Sequence, residues 1–277
     1  MPTFRYVVAD VFTDVPLAGN QVAVFTDATQ IPEERLQPLA REINFSETVF
    51  VYPPAEAGHV RIRIFTPTLE LPFAGHPVLG SAFVLAAPLQ LEEIRLETGR
   101  GVVPVRLDRE GARIVFGWMR QPPFDWEPYE RAGELLALLG VEESGLPVEV
   151  YHQGPGHVFV ELASPEEVAA LRPDFGSLKE LLTYGTACVA RDGEAWTARV
   201  FVPAHGVDED PATGSAAGPL ALHLARHGRI AFGDEIEIRQ GAEVGRPSTL
   251  YAVARSPEEV EVGGSAVVVA RGEFRLP

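Results

Sequence analysis

Arg199-Val200-Phe201-Val202-Pro203, followed by Pro211-Ala212-Thr213-Gly214-Ser215 at the head of an apolar run, is the stretch on which the fold of this chain turns. The same order occurs once before. Arg63-Ile64-Phe65-Thr66-Pro67 lies 136 positions upstream of the first block, and Pro72-Phe73-Ala74-Gly75-His76 lies 139 positions upstream of the second. A β-branched block, a proline turn, a glycine and an apolar helix pattern recur together, and the difference between the two spacings reads as a short insertion. The chain is therefore read as a duplication, with two similar α+β domains.

Working outward, strand patterns precede each repeated block. Arg5–Phe12, Gln21–Phe25, Thr48–Tyr52 and Val60–Thr66 are rich in β-branched and aromatic residues, and a short helix is predicted from Pro32 to Ile43. The run from Val78 to Ala87 is apolar on nearly all sides, the pattern of a helix surrounded by protein. Strands at 94–98, 102–107 and 113–118 complete the first half. Gln121-Pro122-Pro123-Phe124-Asp125-Trp126-Glu127-Pro128 reads as an extended connector, since proline restricts its own φ and the residue before it. The boundary is placed there, giving domains 1–121 and 122–277, and the last strand, 266–271, can pack with either. Several strands around one very apolar helix in each half imply a curved sheet wrapped on a central helix.

Composition excludes several functions. Apolar residues make up 46% and charged residues 22% of 277, as in folded proteins. A formal net charge of −16 argues against nucleic acid and against an anionic membrane surface, both of which require a basic face. Cys188 is the only cysteine, so an internal disulfide and a paired-cysteine zinc site are excluded. No signal-peptide pattern and no membrane-spanning run are present, and a cytoplasmic setting is expected. Lys179 is the only lysine, a poor basis for Schiff-base chemistry, and His223 and His227 stand four apart without the glutamate of a metalloprotease helix. No metal site is expected.

The stretch Asp208-Glu209-Asp210-Pro211-Ala212-Thr213-Gly214-Ser215 combines acids, hydroxyls and a glycine just before a helix. By itself this is as compatible with an acidic turn capping a helix as with an anion site built on unpaired helix N–H groups. The repeat adds weight to the second reading. Gly75-His76 and Gly214-Ser215 each start a central helix, and related by pseudo-symmetry they are expected to face one another across a cleft and to hold a small carboxylate. Glu47 breaks the repeat, falling opposite Gly185, and Asp210 falls opposite Leu71. One acid from each half, with His76 nearby, suits proton transfer within a bound acid.

Asp10-Val11-Phe12 with Gly19-Asn20, Phe45-Ser46-Glu47-Thr48, Phe73-Ala74-Gly75-His76-Pro77 and Asp208 to Ala216 together resemble the PhzF-like isomerases of phenazine biosynthesis, relatives of diaminopimelate epimerase. The resemblance implies two pseudo-symmetric diaminopimelate-epimerase-like domains and a homodimeric, cofactor-free isomerase. It places Glu47 as general base, His76 and Asp210 as catalytic partners, and Ser46, Gly75, Thr213, Gly214 and Ser215 around the substrate. The two cysteine positions of the epimerases fall at Ala74 and Thr213, so thiol chemistry is ruled out. The alternative is a dimeric, non-catalytic protein that binds or senses a small acid through the same pocket.

Overall fold

The computed structural model describes residues 2–276. The chain forms two compact units, Met1–Pro122 with Gly263–Pro277, and Pro123–Val262.

In the first unit, β1 (Thr3–Val11) pairs antiparallel with β2 (Asn20–Phe25). Helix α1 (Glu33–Ile43) then carries the chain over, so that β3 (Glu47–Tyr52) lies parallel to β2 with Val22 opposite Glu47. β4 (Val60–Phe65) runs antiparallel to β3, and the short β5 (Glu70–Leu71) turns back on it with Ile64 opposite Leu71. Helix α2 (Gly75–Leu89) is the next crossover, returning to β6 (Glu93–Thr98) parallel to β4. β7 (Gly101–Glu110) and β8 (Arg113–Arg120) follow as antiparallel neighbours.

α2 packs against β1, β2, β3, β6, β7 and β8, which is why its sequence is apolar all round. Val78, Leu79, Ala82 and Ala86 have no exposed surface. Burial of Val78 and Leu79 contributes about 1.5–3 kcal/mol each relative to exposure. Close approach also demands small residues: a Cβ on Gly80 would lie 2.6 Å from Val22 and 2.8 Å from Val11.

In the second unit, β9 (Asp125–Pro128) pairs with β10 (Glu149–His152) after the intervening helix α3 (Ala132–Leu139). β11 (Gly156–Glu161) follows β10 as a hairpin. Two short helices, α4 (Pro165–Ala170) and α5 (Phe175–Leu181), form the crossover to β12 (Gly185–Asp192), parallel to β11 with His157 opposite Gly185. β13 (Ala195–Val202) is antiparallel to β12, and β14 (Val207–Asp210) turns back on it with Val200 opposite Asp210. Helix α6 (Gly214–Arg226) crosses to β15 (Glu235–Gln240), parallel to β13, and β16 (Ser248–Ser256) and β17 (Glu259–Gly264) follow. Ala216, Ala217 and Leu220 of α6 meet Phe159, Ala187, Val189, Val200 and Ile238 of the surrounding strands.

The final strand, β18 (Ala266–Arg275), pairs with β1 along its length, from Thr3 opposite Arg275 to Val11 opposite Ala266. The second unit thus ends at Val262 rather than running on to 277. β1 is left with an open edge once β2 is paired, and β18 satisfies those backbone groups.

The registers reproduce the repeat read from sequence. Thr48 opposite Phe65 corresponds to Thr186 opposite Phe201, and Ile64 opposite Leu71 to Val200 opposite Asp210. Even the arginine that opens each repeated block has the same partner. Arg63 forks onto Glu70 at 2.7 and 2.6 Å, and Arg199 onto Glu209 at 2.9 and 2.7 Å.

Candidate active site

Glu47 enters its position through the end of α1. Asn44 closes that helix in the left-handed conformation, and the chain bends through Phe45 and Ser46 before Glu47 opens β3. Because β3 is parallel to β2, this end of β3 lies at the start of β2, where Asn20 sits.

The Asn20 position is itself built by the first motif. Asp10 Oδ2 accepts a hydrogen bond from the Leu17 N–H at 2.7 Å, closing the loop after β1. Gly19 adopts φ +67°, and a Cβ there would lie 2.4 Å from the Val11 carbonyl oxygen, so only glycine fits. The loop delivers Asn20, fully buried, to the start of α2.

His76 is the second residue of α2 and is 3% exposed. Asn20 Nδ2 lies 3.1 Å from its Nδ1. Nε2 lies 3.2 Å from Glu47 Oε2, at hydrogen-bond distance although outside hydrogen-bond alignment. Burial pushes the imidazole down to about 3, with a backbone hydrogen bond to Gln21 opposing it only in part. The pair is therefore a carboxyl group beside a neutral imidazole rather than an ion pair. Ser46 stands half-buried just before Glu47, and Gly75 is the first residue of α2.

In the second unit, Asp210 ends β14 and is buried. Thr213 Oγ1 donates to Asp210 Oδ2 at 2.6 Å. Gln240, the last residue of β15, fastens the turn between them: its amide donates to the Asp210 carbonyl at 2.7 Å and to Thr213 Oγ1 at 3.0 Å, and its oxygen accepts from the Thr213 N–H at 3.1 Å. The Thr213 hydroxyl is thus committed to Asp210 and Gln240. Gly214 and Ser215 open α6, and Ser215 Oγ lies 3.0 Å from His157 Nε2.

Of the residues singled out in sequence, the structure brings Glu47 together with His76, and Asp210 with Thr213. Asn20, His157 and Gln240 were missed as site residues. Asn20 carried a signal in the Gly19-Asn20 motif, and His157 could have been sought as the counterpart of the groups around His76. Gln240 carried none, since a residue 27 positions from Thr213 reaches it only through the β13–β15 pairing.

Cys188 is fully buried, and burial pushes its thiol up to about 12, as expected of an inert core thiol. Glu149, His223 and His227 place one ligand atom each within 4.8 Å of one another. Arg226 already supplies the positive charge: it hydrogen-bonds Glu149 Oε2 and lies 4.4 Å over the Trp126 ring. Burial raises the Glu149 carboxyl, but the bonds from Arg226, His227 and Tyr151 outweigh it and hold it at about 2. Among the described residues, no helix is long and apolar enough to cross a membrane.

Comparison with known proteins identifies the family. The family profile described as phenazine biosynthesis-like protein (PhzC-PhzF) matches residues 9–272. The chain is 50% identical to a trans-2,3-dihydro-3-hydroxyanthranilate isomerase of Pseudomonas aeruginosa, with 98% of this chain and 99% of the relative covered. A phenazine biosynthesis protein of the PhzF family from Bacillus anthracis superposes with a TM-score of 0.84 at 26% identity, covering both chains fully. A hydroxyproline epimerase from Agrobacterium vitis superposes with a TM-score of 0.69 at 12% identity, covering 98% of this chain and 92% of that one, which shows the shared epimerase-like fold.

Proposed function

Since the chain belongs to the phenazine biosynthesis-like (PhzC-PhzF) family, we propose that it is an isomerase that moves a proton, and with it a double bond, in a small carboxylate-bearing substrate. The names of relatives at about half identity support this substrate class, and trans-2,3-dihydro-3-hydroxyanthranilate is the first acid to test.

The observation that supports this reading best is the Glu47 carboxyl group 3.2 Å from a buried, neutral imidazole. Glu47 takes a proton from one substrate carbon, and the electron pair of that C–H bond shifts into the conjugated system. The same carboxyl group then gives the proton to another carbon of the system. One C–H bond is broken and one is made, so no oxidant or reductant enters the balance. His76, neutral and 3.2 Å from the Glu47 carboxyl group, stands beside it without holding a competing charge. In the second unit Asp210 is positioned by Thr213 and Gln240, and the N–H groups at the start of α6, from Gly214 onward, suit a carboxylate.

The test is turnover of trans-2,3-dihydro-3-hydroxyanthranilate in deuterated water. Wild type is expected to convert it, and Glu47→Gln to lose activity by on the order of 10²–10⁴ while keeping the native circular dichroism spectrum. Full activity of Glu47→Gln would sink the assignment.

A further inference from the structure

The two helix starts solve one problem in opposite ways. In the first unit the helix supplies the imidazole, His76, and the neighbouring strand supplies its partner, Asn20. In the second unit the helix supplies the hydroxyl of Ser215, and the strand supplies the imidazole, His157. The space for that ring comes from the break in the repeat. β12 opens on Gly185 where β3 opens on Glu47, and a Cβ on Gly185 would lie 2.5 Å from His157 Nδ1.

We propose that His157 is a positioning residue that makes Ser215 an obligate hydrogen-bond donor to the substrate carboxylate. This rests on the functional reading above and assigns a role to a residue outside it. His157 is 2% exposed, and its Nδ1 is buried with no hydrogen-bond partner among the described residues. A proton on Nδ1 would be a buried N–H with nothing to accept it, an arrangement folded proteins rarely tolerate. On Nε2 the proton has an acceptor at 3.0 Å, Ser215 Oγ. Burial also pushes the imidazole down to about 3, so the ring is neutral and carries this single N–H. A serine hydroxyl has one proton and two lone pairs. With a lone pair engaged by His157, the hydroxyl cannot give its proton back to the ring and must direct it to another acceptor. Had the tautomer been the other one, the hydroxyl proton would point at His157 and its lone pairs would face and repel a carboxylate.

Two measurements test this without relying on turnover. In ¹⁵N-labelled protein, long-range ¹H–¹⁵N correlation spectra should show His157 as the Nε2–H tautomer at pH 7. By calorimetry, anthranilate, used as a stable carboxylate probe, should bind about tenfold more weakly to Ser215→Ala and to His157→Phe. The double variant should bind no more weakly than either single one, and His157→Gln, which retains an N–H donor, should recover part of the loss. If His157→Phe does not fold, the tautomer and His157→Gln still decide. An Nδ1–H tautomer, no binding of anthranilate by wild type, or additive losses in the double variant would overturn the proposal. Inactivity of the wild-type enzyme would instead count against the isomerase reading.

Discussion

Acidification from pH 7 to pH 5 should weaken the fold through histidines that it keeps neutral. Burial holds His76 and His157 at about 3, and burial together with the charge of His227 holds His223 at about 4, against an ordinary value of 6.5. Below about 6.5 the unfolded chain takes up a proton at each position while the native protein does not. The unfolded state then binds more protons, so stability falls with pH from the unfolded value down to the folded one. At pH 5 each histidine stands roughly 1.5 pH units below its unfolded pKa, a loss of about 2 kcal/mol apiece at 1.36 kcal/mol per unit. Three such groups remove about 6 kcal/mol, comparable with the whole stability of many domains. The assay is urea unfolding at pH 7, 6 and 5, read by tryptophan fluorescence and circular dichroism, with imidazole ¹⁵N shifts recorded on the folded protein. His76 belongs to the first unit and His157 and His223 to the second, so the second should lose roughly twice as much. Stability unchanged between pH 7 and 5, or any of these rings titrating near 6.5 in the folded protein, would refute the reasoning.

Four substitutions probe the remaining links. Asn20→Leu removes the polar partner of the buried His76 Nδ1 and should lower kcat by about tenfold or more with little effect on KM; steady-state kinetics check this. Gln240→Leu removes three hydrogen bonds from the turn that holds Asp210 and Thr213 and should cost about 2–4 kcal/mol in denaturant titrations. Arg199→Leu leaves Glu209, whose side chain is 7% exposed, without its guanidinium partner and should cost about 3–5 kcal/mol, whereas Arg63→Leu, whose partner Glu70 is 41% exposed, should cost about 1 kcal/mol or less. Equal losses for the two arginines would contradict the burial argument.

The sequence by itself determined the repeat, because a duplicated strand, proline turn and apolar helix leave the same spacing in the chain wherever it folds. It also determined that the two central helices are enclosed, since only a helix covered on nearly all sides can be as apolar as 78–87. Glu47, His76 and Asp210 were legible as departures from, or marked positions within, that repeat. Tertiary structure decided the partners. Asn20 meets His76 because α2 packs against β2, and Gln240 meets Thr213 because α6 returns the chain to β15 beside β13. The last strand was undecided in sequence, where its alternation fits either sheet, until the open edge of β1 claimed it. Protonation was likewise invisible in the residue string: a histidine reads the same in solvent and in a core, and only burial decides that His76 and His157 are neutral.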